Sequence, residues 1–408
     1  MLHRVEIDNF FSIRDAQVID LSIALNVPDE EGRYSPVFPG SKIRAPKVIA
    51  IYGANASGKT TVLRALQFLT AFARDSARQT GLVFPCQTFN DEDSISRPVK
   101  LAVEFGGLMD LSPAILERAE AGEKGEFGIY RYELEVEVSE GNTRKVLKEA
   151  LRQRPGGRGK WQRVFERDAD GKVKDSHTFS LRGFGHLLNT LQPNVSLLSS
   201  FALFQHPTAM LFIEQAEKIM LQMSPTSREQ DQPLLAYLQQ VPVVMDQINR
   251  ELNRIDVGVE GMRVQQLSNG PQLVFRHSGL QAEMPWSRES HGTQSFIRMF
   301  PLISYALQEG SICLIDELDA SLHPLVLFEI VGWFYDQHIR NKADAQLWFT
   351  CHSVSLLETL NKEEVIICEK DRQGRTTAHS LMDVHSRRDD NLYRKYLNGA
   401  FGGIPQVG

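Results

Sequence analysis

Gly53-Ala54-Asn55-Ala56-Ser57-Gly58-Lys59-Thr60 fits the pattern Gly-x-x-x-x-Gly-Lys-Ser/Thr and stands between two segments of different period. Before it, Lys47-Val48-Ile49-Ala50-Ile51-Tyr52 reads as a short buried strand. After it, Thr60-Thr61-Val62-Leu63-Arg64-Ala65-Leu66 carries apolar residues at helical spacing. In this strand–loop–helix context the glycines let backbone N–H groups close around phosphates, and the helix presents its positive end. Gly53, Asn55, Ser57, Gly58, Lys59, Thr60 and Thr61 are therefore expected to hold a nucleoside triphosphate such as ATP. Within that set Lys59 reaches the β/γ-phosphates and the Thr60 hydroxyl ligates Mg²⁺.

A second apolar strand, Ser311-Ile312-Cys313-Leu314-Ile315, ends on Asp316-Glu317. Unpaired buried carboxylates are costly, so this pair implies a task. Asp316 suits the Mg²⁺ shell and Glu317 suits polarising an attacking water. Upstream, Ser290-His291-Gly292-Thr293-Gln294 precedes an apolar helix from Phe296 to Leu307. Ser290 and Gly292 at that helix start read either as an outward-aimed anion site or as an ordinary helix cap. Leu318-Asp319-Ala320-Ser321-Leu322-His323-Pro324 follows the carboxylates directly. A further buried strand, Gln346 to Thr350, leads to His352, which is a structural residue or, in this order, a γ-phosphate sensor. Gln87, in Phe84-Pro85-Cys86-Gln87, is a candidate for an additional metal contact; a solvated loop glutamine is the alternative.

The order of phosphate loop, Ser-x-Gly helix, Asp-Glu strand, Asp-bearing loop and strand-end His resembles the ATP-binding-cassette ATPases. Their cytosolic SMC-like and OLD-like branch is the nearest in pattern. Ile7-Asp8-Asn9-Phe10-Phe11-Ser12-Ile13 resembles the first strand and turn of that branch, and Leu322-His323-Pro324 matches its Leu-His-Pro ending. The stretch Tyr396 to Pro405 is similar to the close of stand-alone prokaryotic members, the AAA or abortive-infection (RloA-like) ATPases of phage defence. The resemblance implies an α/β P-loop NTPase head that closes as a head-to-tail homodimer around two ATP. By the same resemblance, Lys59, Glu317 and His352 are catalytic, and Ser290 and Gly292 cap the partner's γ-phosphate. Asp319 and Ser321 sense across the interface. The sequence departs from the pattern at Glu289, where a Leu is usual.

The 408 residues carry 45 Lys+Arg against 51 Asp+Glu, a formal net charge of −6, and 42% are hydrophobic. Wholesale disorder is excluded by that hydrophobic content. A mildly acidic total also argues against a surface that grips nucleic acid everywhere. No window reaches the roughly 18 apolar residues of a membrane span. The opening Met1-Leu-His-Arg lacks a signal-peptide pattern, so a cytoplasmic location without membrane contact is expected. Cys86, Cys313, Cys351 and Cys368 form no Cys-x-x-Cys pair and read as structural thiols.

Four regions are expected: an N-terminal ATPase lobe (1–105), a β-rich segment (106–185), a helical insertion (186–256) and a C-terminal ATPase lobe (257–408). Tyr130 to Val138 alternates apolar and charged residues in period two. Met210, Ile213, Ala216, Ile219 and Met220 keep helical spacing, and Pro225 interrupts it. Arg152, Arg154, Arg158, Lys160 and Arg163 form a local basic run, interleaved with Gly and Pro as in a solvated loop. Three outputs are open. The chain is a defence ATPase that senses a phage or DNA signal and controls a co-encoded effector, a nuclease or other toxin. It is alternatively a DNA-repair or chromosome-maintenance head that binds DNA itself. Nuclease activity of its own is not expected, because 56 residues follow His352 and lack room for a further nuclease domain.

Overall fold

The computed structural model describes residues 1–29, 31–78, 84–109, 126–222, 225–255, 258–267, 270–384 and 390–404. Its elements, in chain order, begin with β1 (Leu2–Asp8), β2 (Gln17–Asp20), β3 (Ile23–Ala24), β4 (Tyr34–Pro36), β5 (Ile43–Pro46) and β6 (Val48–Tyr52). Helix α1 (Lys59–Asp75) leads to β7 (Val99–Leu108), β8 (Phe127–Ser139), β9 (Asn142–Pro155), β10 (Gln162–Asp168) and β11 (Val173–Lys174). Then come α2 (Leu197–Leu203), α3 (Pro207–Glu217), β12 (Ile219–Gln222), α4 (Asp231–Gln240) and α5 (Pro242–Ile255). The remainder is β13 (Val259–Leu267), β14 (Gly270–His277), β15 (Met284–Pro285), α6 (His291–Glu309), β16 (Ile312–Ile315), α7 (Pro324–Tyr335), β17 (Gln346–Thr350), β18 (Val365–Lys370), β19 (Thr376–Ser380) and α8 (Leu392–Leu397).

A six-stranded sheet in the order β12-β16-β17-β6-β18-β19 forms the centre, parallel except for β19. Parallel strands covered on both faces need unbroken apolar runs. β6 (Val-Ile-Ala-Ile-Tyr) and β17 (Gln-Leu-Trp-Phe-Thr) are buried at every position. Alternate residues serve two cores. Ile49, Ile51, Leu314 and Trp348 pack on the α1 side, while Val48, Ala50, Ile315, Leu347 and Phe349 pack with α6 and α7. The strand ends that carry the phosphate loop, the Asp-Glu pair and the His are thereby fixed side by side.

A seven-stranded antiparallel sheet, β11-β10-β9-β8-β7-β1-β2, lies against α1 and α2 through its apolar face. The β8–β9 hairpin turns at Glu140 (φ 51°) and Gly141 (φ 77°), the two positive values a tight two-residue turn requires. Tyr130, Tyr132, Leu134 and Val136 are buried as the period-two reading requires. The charged face is only half wet. Arg131 bonds Glu6, Glu104 and Glu133, and Lys148 bonds Glu133.

The structure corrects several sequence expectations. Ile219 and Met220 belong to no helix: they start β12, which pairs in parallel with Ile312 and Cys313 at the sheet edge. A short apolar run satisfies a helical template and an edge strand equally well, and here ladder bonds decide. Arg152 and Arg154 lie in β9 rather than in a loop. Arg152 pairs with Glu166, and Arg154 covers the Trp161 ring at 4.3 Å. The division expected at 105/106 falls inside β7, whose partners β1 and β8 lie on either side of it in sequence. The division at 256/257 and residue Pro405 lie outside the described residues. All four cysteines are buried free thiols. Among the described residues no helix is long and apolar enough to cross a membrane.

Candidate functional site

The phosphate loop leaves the buried end of β6 and enters α1 at Lys59. Gly58 stands at φ 100°, and a Cβ there would lie 2.3 Å from Thr376 Oγ1, so no side chain fits. The Lys59 Nζ donates to Gly53 O at 2.9 Å and to Ala54 O at 3.1 Å, curling over its own loop. Burial lowers the Lys59 pKa below its ordinary value, against the pull of Asp316 and Glu317. Ser57 is buried and its Oγ has no hydrogen-bond partner among the described residues. A buried orphan hydroxyl beside a lysine bonded only to loop carbonyls is a cradle suited to an anion with several acceptor oxygens. Asn55 is exposed on the loop's outer edge.

The carboxylate pair meets the loop. Thr60 Oγ1 lies 3.0 and 3.1 Å from the two Asp316 carboxylate oxygens. A hydroxyl and a carboxylate are hard oxygen donors, and Mg²⁺ takes one or two such protein ligands while keeping water and phosphate oxygens. Thr60 and Asp316 therefore fit that ion and could hold it. Thr350 completes the arrangement: its Oγ1 donates to Asp316 Oδ1 at 2.6 Å and accepts from Glu317 N at 2.7 Å. Glu317 is exposed and held at φ 55°, a left-handed conformation costing of order 1–3 kcal/mol outside glycine. Its backbone is thus fixed beside Asp316 while the residue stays open to solvent.

His352 is exposed two residues beyond β17, and its backbone is anchored. Asp319 Oδ2 accepts from His352 N at 3.0 Å and from Ser353 N at 2.7 Å. Within one chain Asp319 thus fastens the His352 loop, where the sequence reading had it sensing a second molecule. Ser321, exposed and at φ 64°, presents its carbonyl to Gly292, where a Cβ would lie 2.8 Å away. Ser290 caps α6, accepting from Thr293 N at 3.1 Å, so the cap reading holds within the chain. The departure at Glu289 has a physical role: buried, it accepts from Ser290 N at 2.8 Å and contacts His277 Nε2 at 2.9 Å.

Thr61 is tied down rather than open, its Oγ1 lying 2.9 Å from Ser12 Oγ. Ser12 also receives Thr376 Oγ1 at 2.9 Å, and Thr376 Oγ1 lies 2.8 Å from Ser57 O. These hydroxyls brace the loop from the β1–β2 and β18–β19 turns. Gln87 is exposed and lines, with Phe11, Thr60, Arg64 and Lys370, a cleft of about 490 Å³ beside the loop. No contact between Gln87 and Asp316 accompanies it, so the structure gives Gln87 a place at the cleft and no metal partner among the described residues.

A family model described as "AAA domain, putative AbiEii toxin, Type IV TA system" matches residues 48–358, from the strand before the phosphate loop past His352. The chain belongs to that family. An AAA domain of this family is in keeping with the phosphate loop and the Asp-Glu strand end described above. No curated protein matches the chain. Among solved structures, an SMC head bound to the C-winged helix domain of ScpA is 14% identical with a TM-score of 0.44. The match covers 93% of this chain and 98% of that one. The SMC head domain from Thermotoga maritima is 12% identical with a TM-score of 0.41, at the same coverage.

Proposed function

We propose that this family member hydrolyses ATP and uses the cycle to control a separately encoded effector, a nuclease or other toxin, in prokaryotic anti-phage defence. The observation that carries the hydrolytic reading is the Thr60–Asp316–Thr350–Glu317 arrangement, in which one buried hydroxyl bonds the Asp316 carboxylate and the Glu317 backbone beside the phosphate loop. Lys59 and the loop N–H groups bind and orient the triphosphate. Thr60 and Asp316 would hold Mg²⁺, which would supply charge neutralisation of the phosphates. Glu317 accepts a proton from the attacking water, and His352 lies at the next strand end to contact the γ-phosphate. The reaction balances simply: water attacks the γ-phosphorus, the β–γ bridging bond breaks, and ADP leaves with phosphate.

In this reading the head closes as a head-to-tail dimer, each Ser290 and Gly292 capping the other's γ-phosphate. Both lie at an accessible helix start, which suits that role. ATP then favours the closed state, and hydrolysis releases it. The description of the family names a toxin of a type IV toxin–antitoxin system, which supports a two-protein arrangement. The rival reading, direct DNA binding, is weakened by the ion pairing of Arg152 and the stacking of Arg154, the start of the basic run. Glu317→Gln tests the reading. Phosphate release should fall about 10²-fold or more while ATP still binds, and wild-type turnover in that variant would remove the role assigned to Glu317.

A further inference from the structure

The segment 391–404 includes most of the Tyr396–Pro405 stretch noted above, yet the hydrolytic scheme leaves it without a task. Its helix α8 starts on an Asn391 cap and delivers Tyr396, buried, toward the end of β6. The Tyr396 ring meets Tyr52 edge-on at 5.8 Å, and Tyr52 directly precedes the phosphate loop. The chain then turns back through Gly402 (φ 71°) and Gly403 (φ 70°). Tyr396 Oη donates to Gly403 O at 3.0 Å, and the Gly53 backbone faces the same hydroxyl. Gly403 N donates to Glu369 Oε1 at 2.8 Å, at the end of β18. A Cβ on Gly403 would stand 2.8 Å from Ile367 Cγ2 and 3.4 Å from Gly53 Cα. The segment therefore lies glycine against glycine on the first residue of the phosphate loop.

The same contacts reach the other side of the site. Tyr52 Oη donates to Ser353 O at 3.0 Å, the residue after His352, and α8 packs on the following turn, Val354–Glu358. Gly53 O is one of the two carbonyls that hold Lys59 Nζ. One small unit thus spans Gly53, Lys59 and the His352 loop.

We infer that Tyr396 and Gly403 are positioning residues, a clasp that fixes the backbone of Gly53 so that the loop is set for triphosphate before ATP arrives. This rests on the ATPase reading above. A prearranged loop binds phosphate without an ordering cost, so the clasp acts on affinity more than on the chemical step.

Tyr396→Phe keeps the ring and removes the hydroxyl. Equilibrium titration with ATP and steady-state phosphate release should show the ATP Kd and KM raised about fivefold or more, the scale of one lost net hydrogen bond, with kcat nearly kept. Gly403→Ala, which adds a methyl against Ile367, should do the same more strongly. Nucleotide-free thermal midpoints separate this from general loosening. Unchanged Kd in Tyr396→Phe, with or without a lower midpoint, overturns the clasp while leaving the ATPase reading intact. A wild-type chain that neither binds nor hydrolyses ATP overturns both. Should either variant fail to fold, hydrogen exchange on wild-type protein decides: ATP should slow exchange across residues 396–404, and an unchanged rate there overturns the proposal.

Discussion

Thr350→Val is the sharpest perturbation of the carboxylate pair, because it preserves shape and deletes one hydroxyl. Thr350 is fully buried at the end of β17, donating to Asp316 Oδ1 at 2.6 Å and accepting from Glu317 N at 2.7 Å. The variant leaves the Glu317 N–H without its acceptor and takes a donor from a buried carboxylate. Unsatisfied buried groups cost about 1–3 kcal/mol each, so the native arrangement should lose about 2–6 kcal/mol. Much of that loss falls on Glu317, whose φ of 55° is maintained by this bond. A displacement on the order of 1 Å at a reacting group costs about 10²-fold in rate. The expected result is a kcat lower by about 10²-fold with the ATP KM within about threefold, since Lys59 and its loop are untouched. Thr350→Ser, which restores the hydroxyl, should recover most of the rate. Phosphate release measured across ATP concentrations, alongside thermal midpoints, reads both effects. Wild-type kcat in the valine variant, or equal impairment in the serine variant, would refute the reasoning.

Two further outcomes follow from other contacts. Lys59→Ala removes the cation that bridges Gly53 O and Ala54 O and meets the phosphates, so ATP affinity itself should fall by at least about tenfold; unchanged binding and turnover would make the loop irrelevant. Hydrogen bonds from Arg131 hold the Glu6 carboxyl at about 2, below its ordinary 4.5. The ionised form is thus favoured in the fold, and its contribution is fully present above about pH 4.5 and lost as pH falls toward about 2. Glu6→Gln should therefore lose less thermal stability than wild type between about pH 5 and pH 3, and an identical acid slope would count against the Arg131 lattice.

Most of the candidate site residues were legible because they follow the end of a buried strand. An apolar run that stops on Asp316-Glu317 or shortly before His352 signals a strand end with a function, and the parallel sheet does set those ends side by side. What the sequence hid is non-local. Ser12 and Thr376 brace one loop from positions 364 residues apart, and no spacing announces such a pair. Thr350 reads as the last polar residue of a strand, although its hydroxyl ties the Asp316 carboxylate to the Glu317 backbone. Asp319 lay in a stretch whose resemblance suggested an intermolecular role, while its nearest donors are the backbone N–H groups of its own chain. Ile219 and Met220 misled for a different reason: a four-residue edge strand has too few positions for period two to stand out from period 3.6.

In the proposed cycle ATP joins two heads and hydrolysis parts them. Sedimentation velocity of Glu317→Gln measures this directly, in Mg²⁺-ATP and again in Mg²⁺-ADP. A species of twice the monomer mass is expected with ATP and the monomer with ADP, with Ser290→Arg abolishing the ATP-bound dimer. The same mass in both nucleotides, or a dimer indifferent to Ser290→Arg, would contradict it.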